Sequence, residues 1–535
     1  MKHFKSSRSL ATAGVLIAAT FMTTVAVDAK TLRWARSQDS TTLDPHSGNI
    51  GTNHGLAHNL YEPLVIRSFD GKLTGALATS WRVLPNDPTV WEFKLRPNVK
   101  FHNGNAFTAD DVVFSMKRAL MPAADMKSLL VGVTDITKVD DLTVHFKTNG
   151  PNPLLVNNLT NLFIMDKEWS EANNASTPQN LREKVENGAT RQAVGTGPFQ
   201  LVTREPDVRT VMRVFAGHWG ASEANHGITE IVYRPIPEAA TRVAALLSGE
   251  IDYLQDVPVQ DIARLQTANG IRVNPGPENR PIFLGMNIGL PELRSSDVKG
   301  KNPFADVRVR QAVNTALNRE AIQRVTMRGQ STPLGIIATP YINGYTKELD
   351  TWPKYDVAAA RKLLADAGYP NGFSVTLHCT NDRYVNDEGI CQSAVSMLGQ
   401  IGIRTTLVAQ SLRVHFPAIQ RGEYDFYLLG WGIPTFDSHY VFNDLYRTKT
   451  PSAGTWNGTG LSNAALDAQI DSLNSEIDPA KRNATIAAIW KWVKENDVYA
   501  PIHMQFIAGA MRSEWNIPTD VENTPKMRFL NARGS

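Results

Sequence analysis

Two hydrophobic periods interleave along this chain, short runs that repeat every second residue and longer ones with a repeat near 3.6, and the mixture predicts an α/β or α+β protein. The stretch 'EAATRVAALLSGEIDYLQDV' contains both. Val243, Leu246 and Leu247 share one helical face, Gly249 suits the left-handed residue that closes a helix, and Ile251 to Val257 predicts a strand. A second unit opens on Asp356 as helix N-cap and carries Ala359, Leu363, Leu364 and Ala367. It stops at Gly368 and continues into an alternating strand from Ser374 to Cys379. A third helix is predicted from Asp306 to Met327, with Val309, Val313, Ala316, Leu317 and Ile322 toward a core. Between these units 'NPGPENRPIF' (Asn274 to Phe283), rich in Pro, Gly and Asn, runs into an apolar strand and predicts a crossing between two lobes. A return crossing is expected near Val498 to Ala510.

The first 29 residues follow a different pattern. A basic start (Lys2, Lys5, Arg8) precedes an apolar stretch from Leu10 to Val27 and the small-residue end Val27-Asp28-Ala29, which predicts a signal peptide cleaved after Ala29. Thr20, Thr23, Thr24 and Asp28 make the same stretch a poor membrane anchor. No Cys follows it to accept a lipid, so a freely diffusing periplasmic protein is expected. The whole chain carries a formal charge of +3, and losing three basic residues and one acid with the leader leaves +1. That balance offers nothing to nucleic acid or an anionic membrane. The remaining length suits two or three domains rather than one core. The two cysteines, Cys379 and Cys391, lie in one short segment, and an oxidising compartment favours a disulfide, with a metal pair or two buried thiols as the alternatives.

Three segments, 'VWEFKLRPNVKFHNGNAFTADDVVFS', 'GTGPF' (Gly195 to Phe199) and 'YDVAAARKLLADAGYPNGF', resemble in order and spacing the peptide/nickel class of extracellular solute-binding proteins that serve ABC importers. The likeness runs from about Thr31 to about Ile517. It implies an α/β fold of the type II periplasmic-binding-protein kind, with two lobes, a hinge and an inserted subdomain. Mapped onto this sequence, lobe I spans 30–275 with the subdomain at about 73–192, lobe II spans 276–499, and 500–535 return to lobe I. 'YEPLV' (Tyr61 to Val65) and 'FHNG' (Phe101 to Gly104) resemble scaffold signatures of the subdomain.

The resemblance also points to residues of the cleft. In 'NDRYVNDE', Arg383 and Tyr384 resemble the pair that meets a bound peptide's carboxylate, a task suited to a planar guanidinium fork; a surface Arg in a polar loop is the other reading. In 'YDFYLLGWGIPTFDSHY', Trp431 between Gly430 and Gly432 resembles the family's Trp segment. Trp431 either stacks on a ligand or packs beneath the hinge, and Gly432 lets the backbone come close. Pro434 stands where relatives commonly carry the acid that anchors an ammonium group. Asp437 matches a second acid of that segment and either takes over the anchoring or caps the following helix. Ser40 and Thr41, in 'SQDSTTLDP', belong to a stretch that in relatives lies along the cleft and pairs with an extended ligand.

Other signals carry less. His54 and His58 sit four apart, a spacing suited to a metal on one helical face, without a third ligand or the Glu of His-Glu-x-x-His. 'GTGPF' lacks the third Gly and the Lys of phosphate loops, and Pro198 removes an N–H. No Gly-x-Ser-x-Gly or Ser-x-x-Lys pattern appears, which leaves a secreted hydrolase as the rival class. The expected protein is therefore a monomeric carrier without cofactor or enzymatic activity. It is expected to capture a peptide or peptide-like solute, or else an opine, oligosaccharide or nickel complex, and to deliver it to an inner-membrane permease. It is not expected to bind ATP.

Overall fold

The computed structural model describes Met1 and residues 30–530, except 69–70, 182, 222–226 and 452. The predicted signal peptide and its cleavage site after Ala29 lie outside the described residues. Among these no helix is long and apolar enough to cross a membrane.

Among the described residues eleven strands form one mixed sheet whose spine is a pair of long antiparallel strands, Ile271–Met286 and Tyr499–Arg512. On one side Ile271–Met286 pairs antiparallel with Phe426–Gly430. The sheet continues through the parallel strands Phe373–Thr380 and Ile403–Gln410. On the other side Tyr499–Arg512 meets the short strand Tyr253–Leu254. Beyond it come Lys30–Arg36, Ile228–Pro235, Arg209–Val214 and Phe199–Glu205. The two halves are separate lobes because each half has cores of its own. Ile282, Leu284 and Met286 face one core of the second lobe, while their neighbour Phe283 faces another with Trp490 and Tyr499, as alternation along a strand buried on both faces requires. In the first lobe Trp34 packs with Tyr233 on one face, and Ala35 packs with Val243 and Leu246 on the other. A four-stranded antiparallel sheet of Ala78–Leu84, Asp87–Leu95, Val133–Asp140 and Thr143–Thr148 packs against the helix Ala109–Ala119 around Phe93, Phe146, Val112 and Met116, as an inserted subdomain.

Local signals account for many element ends. Gly249 closes the helix Ala239–Ser248 at φ +79°, and the Asp356 side chain accepts the Ala359 N–H at 2.9 Å at the start of Val357–Asp366. 'GTGPF' is a docking turn. A Cβ on Gly195 would lie 2.2 Å from the Leu60 carbonyl oxygen, and one on Gly197 would lie 2.6 Å from that of Asn59. His102 of 'FHNG' ties down the same turn through Gly197 O at 3.0 Å.

Two predicted elements differ. The helix expected over Asp306 to Met327 is broken: Val307–Ala316 ends at Leu317, and Arg319–Ala321 restarts and runs into the π-helical turn Ile322–Thr326. Asn318 caps the restart by accepting the Ala321 N–H. The buried Arg319 guanidinium satisfies the carbonyl that the break releases on Asn314, at 3.1 Å, together with Pro501 O at 2.7 Å. The strand expected over Ile251 to Val257 shrinks to Tyr253–Leu254 because Asp256 turns the backbone to φ +60°.

Cys379 and Cys391 are joined by a disulfide that ties the strand Phe373–Thr380 to the helix Asp387–Gly399 and closes a loop with a sequence separation of 12. Replacing both cysteines with serine is expected to lower stability in urea by about 3 kcal/mol, the loop-entropy value for a ring of this size. An unchanged unfolding midpoint and slope would show that the bond restrains nothing.

Candidate functional site

The strand that joins the lobes is irregular where it passes between them. Its pairing with Tyr499–Arg512 shifts register between Pro277 and Pro281. The shift lifts Glu278, Asn279 and Arg280 out of the ladder, and all three line an interlobe chamber of about 110 Å³. Bulged residues are a recurrent way to aim side chains into a site.

The opposite wall comes from the end of the strand Phe426–Gly430. Gly430, Trp431 and Gly432 line the chamber, and both glycines are required by close neighbours. A Cβ on Gly430 would meet the Tyr384 ring at 2.6 Å, and one on Gly432 would meet the Arg280 guanidinium at 3.0 Å. Trp431 is 7% exposed, stacks on Tyr440 with centroids 5.5 Å apart, and meets Trp456 edge-on at 5.5 Å, while Phe416 lies edge-on to Trp456 at 5.2 Å. All four rings line the chamber. Among the described residues the indole N–H of Trp431 has no hydrogen-bond partner, and neither has Nε2 of His54, which lines the chamber from the first lobe.

Arg383 and Tyr384 stand where the chamber meets a larger one of about 490 Å³, since both line the two cavities. Their loop is held by its own backbone. Asp387 accepts the N–H groups of Arg383 and Tyr384, both at 3.1 Å, and Gln505 accepts that of Val385 at 2.9 Å. The Tyr384 hydroxyl donates to Gly430 O at 3.0 Å and is thereby occupied. The Arg383 guanidinium has no ion pair or side-chain hydrogen bond among the described residues and lies 5.3 Å from the Tyr384 ring. Burial pushes its pKa down to about 10, with the positive Arg280 adding to the effect. By contrast Arg280 pairs with Glu278 at 2.8 Å, and Arg36, which lines the larger cavity, pairs with Asp256 at 2.6 Å.

The remaining expected residues fall elsewhere. Thr41 lines the larger cavity, but its N–H donates to Asn53 at 2.9 Å. Ser40 lines neither chamber: its hydroxyl bonds Asn53 at 2.9 Å, and its carbonyl accepts from Arg204 at 2.7 Å. The backbone of this segment is therefore engaged within the first lobe. Asp437 is buried away from both chambers. It caps the helix Ser438–Val441 through the His439 N–H at 2.8 Å and forms two bonds of 2.7 Å with Arg482. Pro434 lines the chamber three residues after Trp431. His58 bonds Asn161 at 3.0 Å and stands edge-on to Phe163. Among the described residues no group of three or more His, Cys, Asp or Glu is placed to hold a metal ion.

Tyr440, Trp456, Phe416 and the bulge residues Glu278 to Arg280 were not singled out by sequence. The Pro-rich 'NPGPENRPIF' was the available hint, since a run that cannot keep regular pairing is where a bulge forms. The lobes also touch directly: the Gln38 side chain donates to the Asp382 carbonyl, Arg67 to Thr435 O at 3.3 Å, and Asn49 to the Tyr440 hydroxyl at 3.4 Å.

A bilobal α/β architecture with a chamber between its lobes is the type II periplasmic-binding-protein fold. The model of bacterial extracellular solute-binding proteins, family 5 (middle region), matches residues 72–452, and the chain belongs to this family. It is 26% identical over 501 residues to the glutathione-binding protein GsiB of Escherichia coli K12, covering 92% of this chain and 93% of that one. In fold it is similar to DppA from Helicobacter pylori in complex with the peptide STSA, with a TM-score of 0.79, 24% identity, and 93% and 98% of the two chains covered. The same holds for AgaA from A. tumefaciens R10 in complex with agropinic acid, with a TM-score of 0.80, 23% identity, and 94% and 98% covered.

Proposed function

We propose that this chain is the exported solute-capturing component of an ABC importer, and that it holds a carboxylate-bearing peptide or peptide-like solute between its lobes. The observation that carries the reading is the Arg383 guanidinium, a half-buried cation without a counter-ion at the junction of two interlobe cavities. An arginine kept in low-dielectric surroundings without a partner is costly. An incoming carboxylate supplies the missing partner through two parallel bonds. The names of the similar proteins support a peptide-like solute in GsiB and DppA and an opine-type acid in AgaA. In each case a carboxylate is the shared chemistry.

Capture works by hinge bending along the paired strands Ile271–Met286 and Tyr499–Arg512. Open and closed forms exchange, and a solute that touches both walls of the chamber favours the closed one by the difference in its contacts with the two. The closed form is the one delivered to the membrane permease, and the solute leaves unchanged. The disulfide-bracketed loop lowers the ordering cost at Arg383.

A thermal-shift screen of peptides, opines, oligosaccharides and nickel complexes identifies the solute, since a ligand at 100 times its dissociation constant stabilises by about 2.7 kcal/mol. Arg383→Ala is then expected to weaken binding of that solute by roughly 1.5–3 kcal/mol, or about 10- to 150-fold. The ligand-free variant should be at least as stable as the parent, because the side chain makes no hydrogen bond or ion pair to lose and an uncompensated charge is removed. Equal affinity in parent and variant would remove Arg383 from the site.

A further inference from the structure

We infer that Glu522, on the first-lobe wall of the inner chamber, anchors a protonated amine of the solute, so that the chamber takes a zwitterion with an ammonium for Glu522 and a carboxylate for Arg383. The inference rests on the carrier reading above and narrows it.

Among the described residues two carboxylates line the chamber, and they differ in what they leave open. Both oxygens of Glu278 are engaged, one by Arg280 at 2.8 Å and the other by Gln505 at 2.6 Å. Glu522 accepts a single bond, from Lys526 Nζ to its Oε2 at 2.7 Å, and its Oε1 has no partner among the described residues. Lys526 is shared, because it also donates to Asp520 at 2.9 Å. Two acids around one ammonium leave a negative charge over. Asp520 has further donors in the Glu522 N–H at 3.0 Å and the Thr524 hydroxyl at 3.4 Å, and it lines neither chamber, so the surplus falls to Glu522. Arg67 is the other cation within electrostatic reach, but its guanidinium donates to Gly71 O, Asn157 and Thr435 O instead. Burial pushes the Glu522 pKa up in spite of Lys526, and Asp520 adds to the effect, as expected of a carboxylate short of positive charge.

The surroundings suit the same solute. His54, on the same wall, is held neutral, its pKa pushed down to about 4 by burial and by Lys526, so it does not repel an ammonium at neutral pH. The Trp431 indole, 7% exposed and without an acceptor among the described residues, is a second sign of an absent partner in this chamber, and a peptide carbonyl supplies it. The segment that carries Glu522 is fixed to the first lobe: Asn59 donates to Pro525 O at 3.1 Å and accepts the Met527 N–H at 3.0 Å. Arg383 belongs to the disulfide-bracketed loop of the second lobe. The two charged anchors therefore stand on different lobes. A zwitterion touches both, and that difference in contacts between open and closed forms favours closure.

The test compares an equimolar mixture of Ala-X dipeptides with the same mixture after complete N-acetylation, titrated into the mature protein and followed by thermal shift. In the parent, acetylation is expected to raise the concentration needed for a given shift at least about tenfold, the scale of one hydrogen bond to a charged group. Glu522→Gln keeps the side chain's shape and leaves Lys526 paired with Asp520. In that variant the free-amine mixture is expected to weaken to the level of the acetylated one, while the acetylated mixture acts as it does on the parent. Equal loss of both mixtures would mark Glu522 as structural and overturn the inference, as would an undiminished preference for the free amine. An acetylated mixture that shifts the parent as well as the free one also overturns it and leaves the carrier reading standing. No shift with either mixture overturns both the inference and the peptide-like reading.

Discussion

Asp437→Ala is expected to cost the ligand-free protein about 3–5 kcal/mol, the range found when one partner of a buried ion pair is removed. The carboxylate is bound through both oxygens to Arg482, each at 2.7 Å, with side chains 6% and 7% exposed. It also receives the Asn343 side chain at 3.1 Å and the His439 N–H at 2.8 Å. Arg482 lies on the helix Pro479–Asn496, so the pair joins that helix to the segment carrying Trp431. Its Nε already lacks a partner among the described residues, and the variant would strand the whole guanidinium in the interior. The check is urea unfolding without solute, beside binding of the solute found by the screen. A large drop in stability with affinity nearly kept is the expected pattern. Parent-like unfolding with a large loss of affinity would return Asp437 to the chamber as a ligand anchor.

A second buried acid behaves in the opposite sense. Asp444 lies in the π-helical turn Phe442–Tyr446, is 5% exposed, and its Oδ2 has no hydrogen-bond partner among the described residues. Burial alone pushes its pKa up to about 7 from an ordinary value of 3.8. A folded-state pKa above the unfolded one means that the native protein binds the extra proton. The stabilising contribution is therefore complete below about pH 4 and is lost as pH rises through about 7. At pH 8 the ionised carboxylate costs on the order of 4 kcal/mol relative to pH 4. Asp444→Asn removes the titration while keeping the side chain's shape. The variant is expected to match the parent near pH 4 and to exceed it by up to that amount at pH 8. Buried neutral histidines such as His54 and His439 lose stability as pH falls from 6.5 toward 4 in parent and variant alike, so the difference between the two proteins isolates Asp444. A pH-independent difference would contradict the assignment.

What was legible in the sequence was local. Gly249 and Asp356 mark helix ends because a left-handed turn and a side-chain cap are made within a few residues. The break at Leu317 was not legible, since Arg319 satisfies it through Pro501, far along the chain. The same division runs through the candidate site. Arg383, Tyr384, Trp431 and Gly432 follow strand ends and could be picked out from the resemblance, and the structure brings them to one chamber. Asp437 fitted two roles equally well by spacing, and a partner 45 residues away decides where it points. The aromatic wall of Tyr440, Trp456 and Phe416 gathers from separate segments, and His54 arrives from the other lobe. No local pattern carries such convergence.

In the proposed function the two lobes close around a solute at the chamber of Arg383 and Trp431. Small-angle X-ray scattering of the mature protein, with and without a saturating amount of the solute found by the screen, tests it most directly. The account predicts a smaller radius of gyration with solute present; scattering curves that superpose at saturation would contradict it.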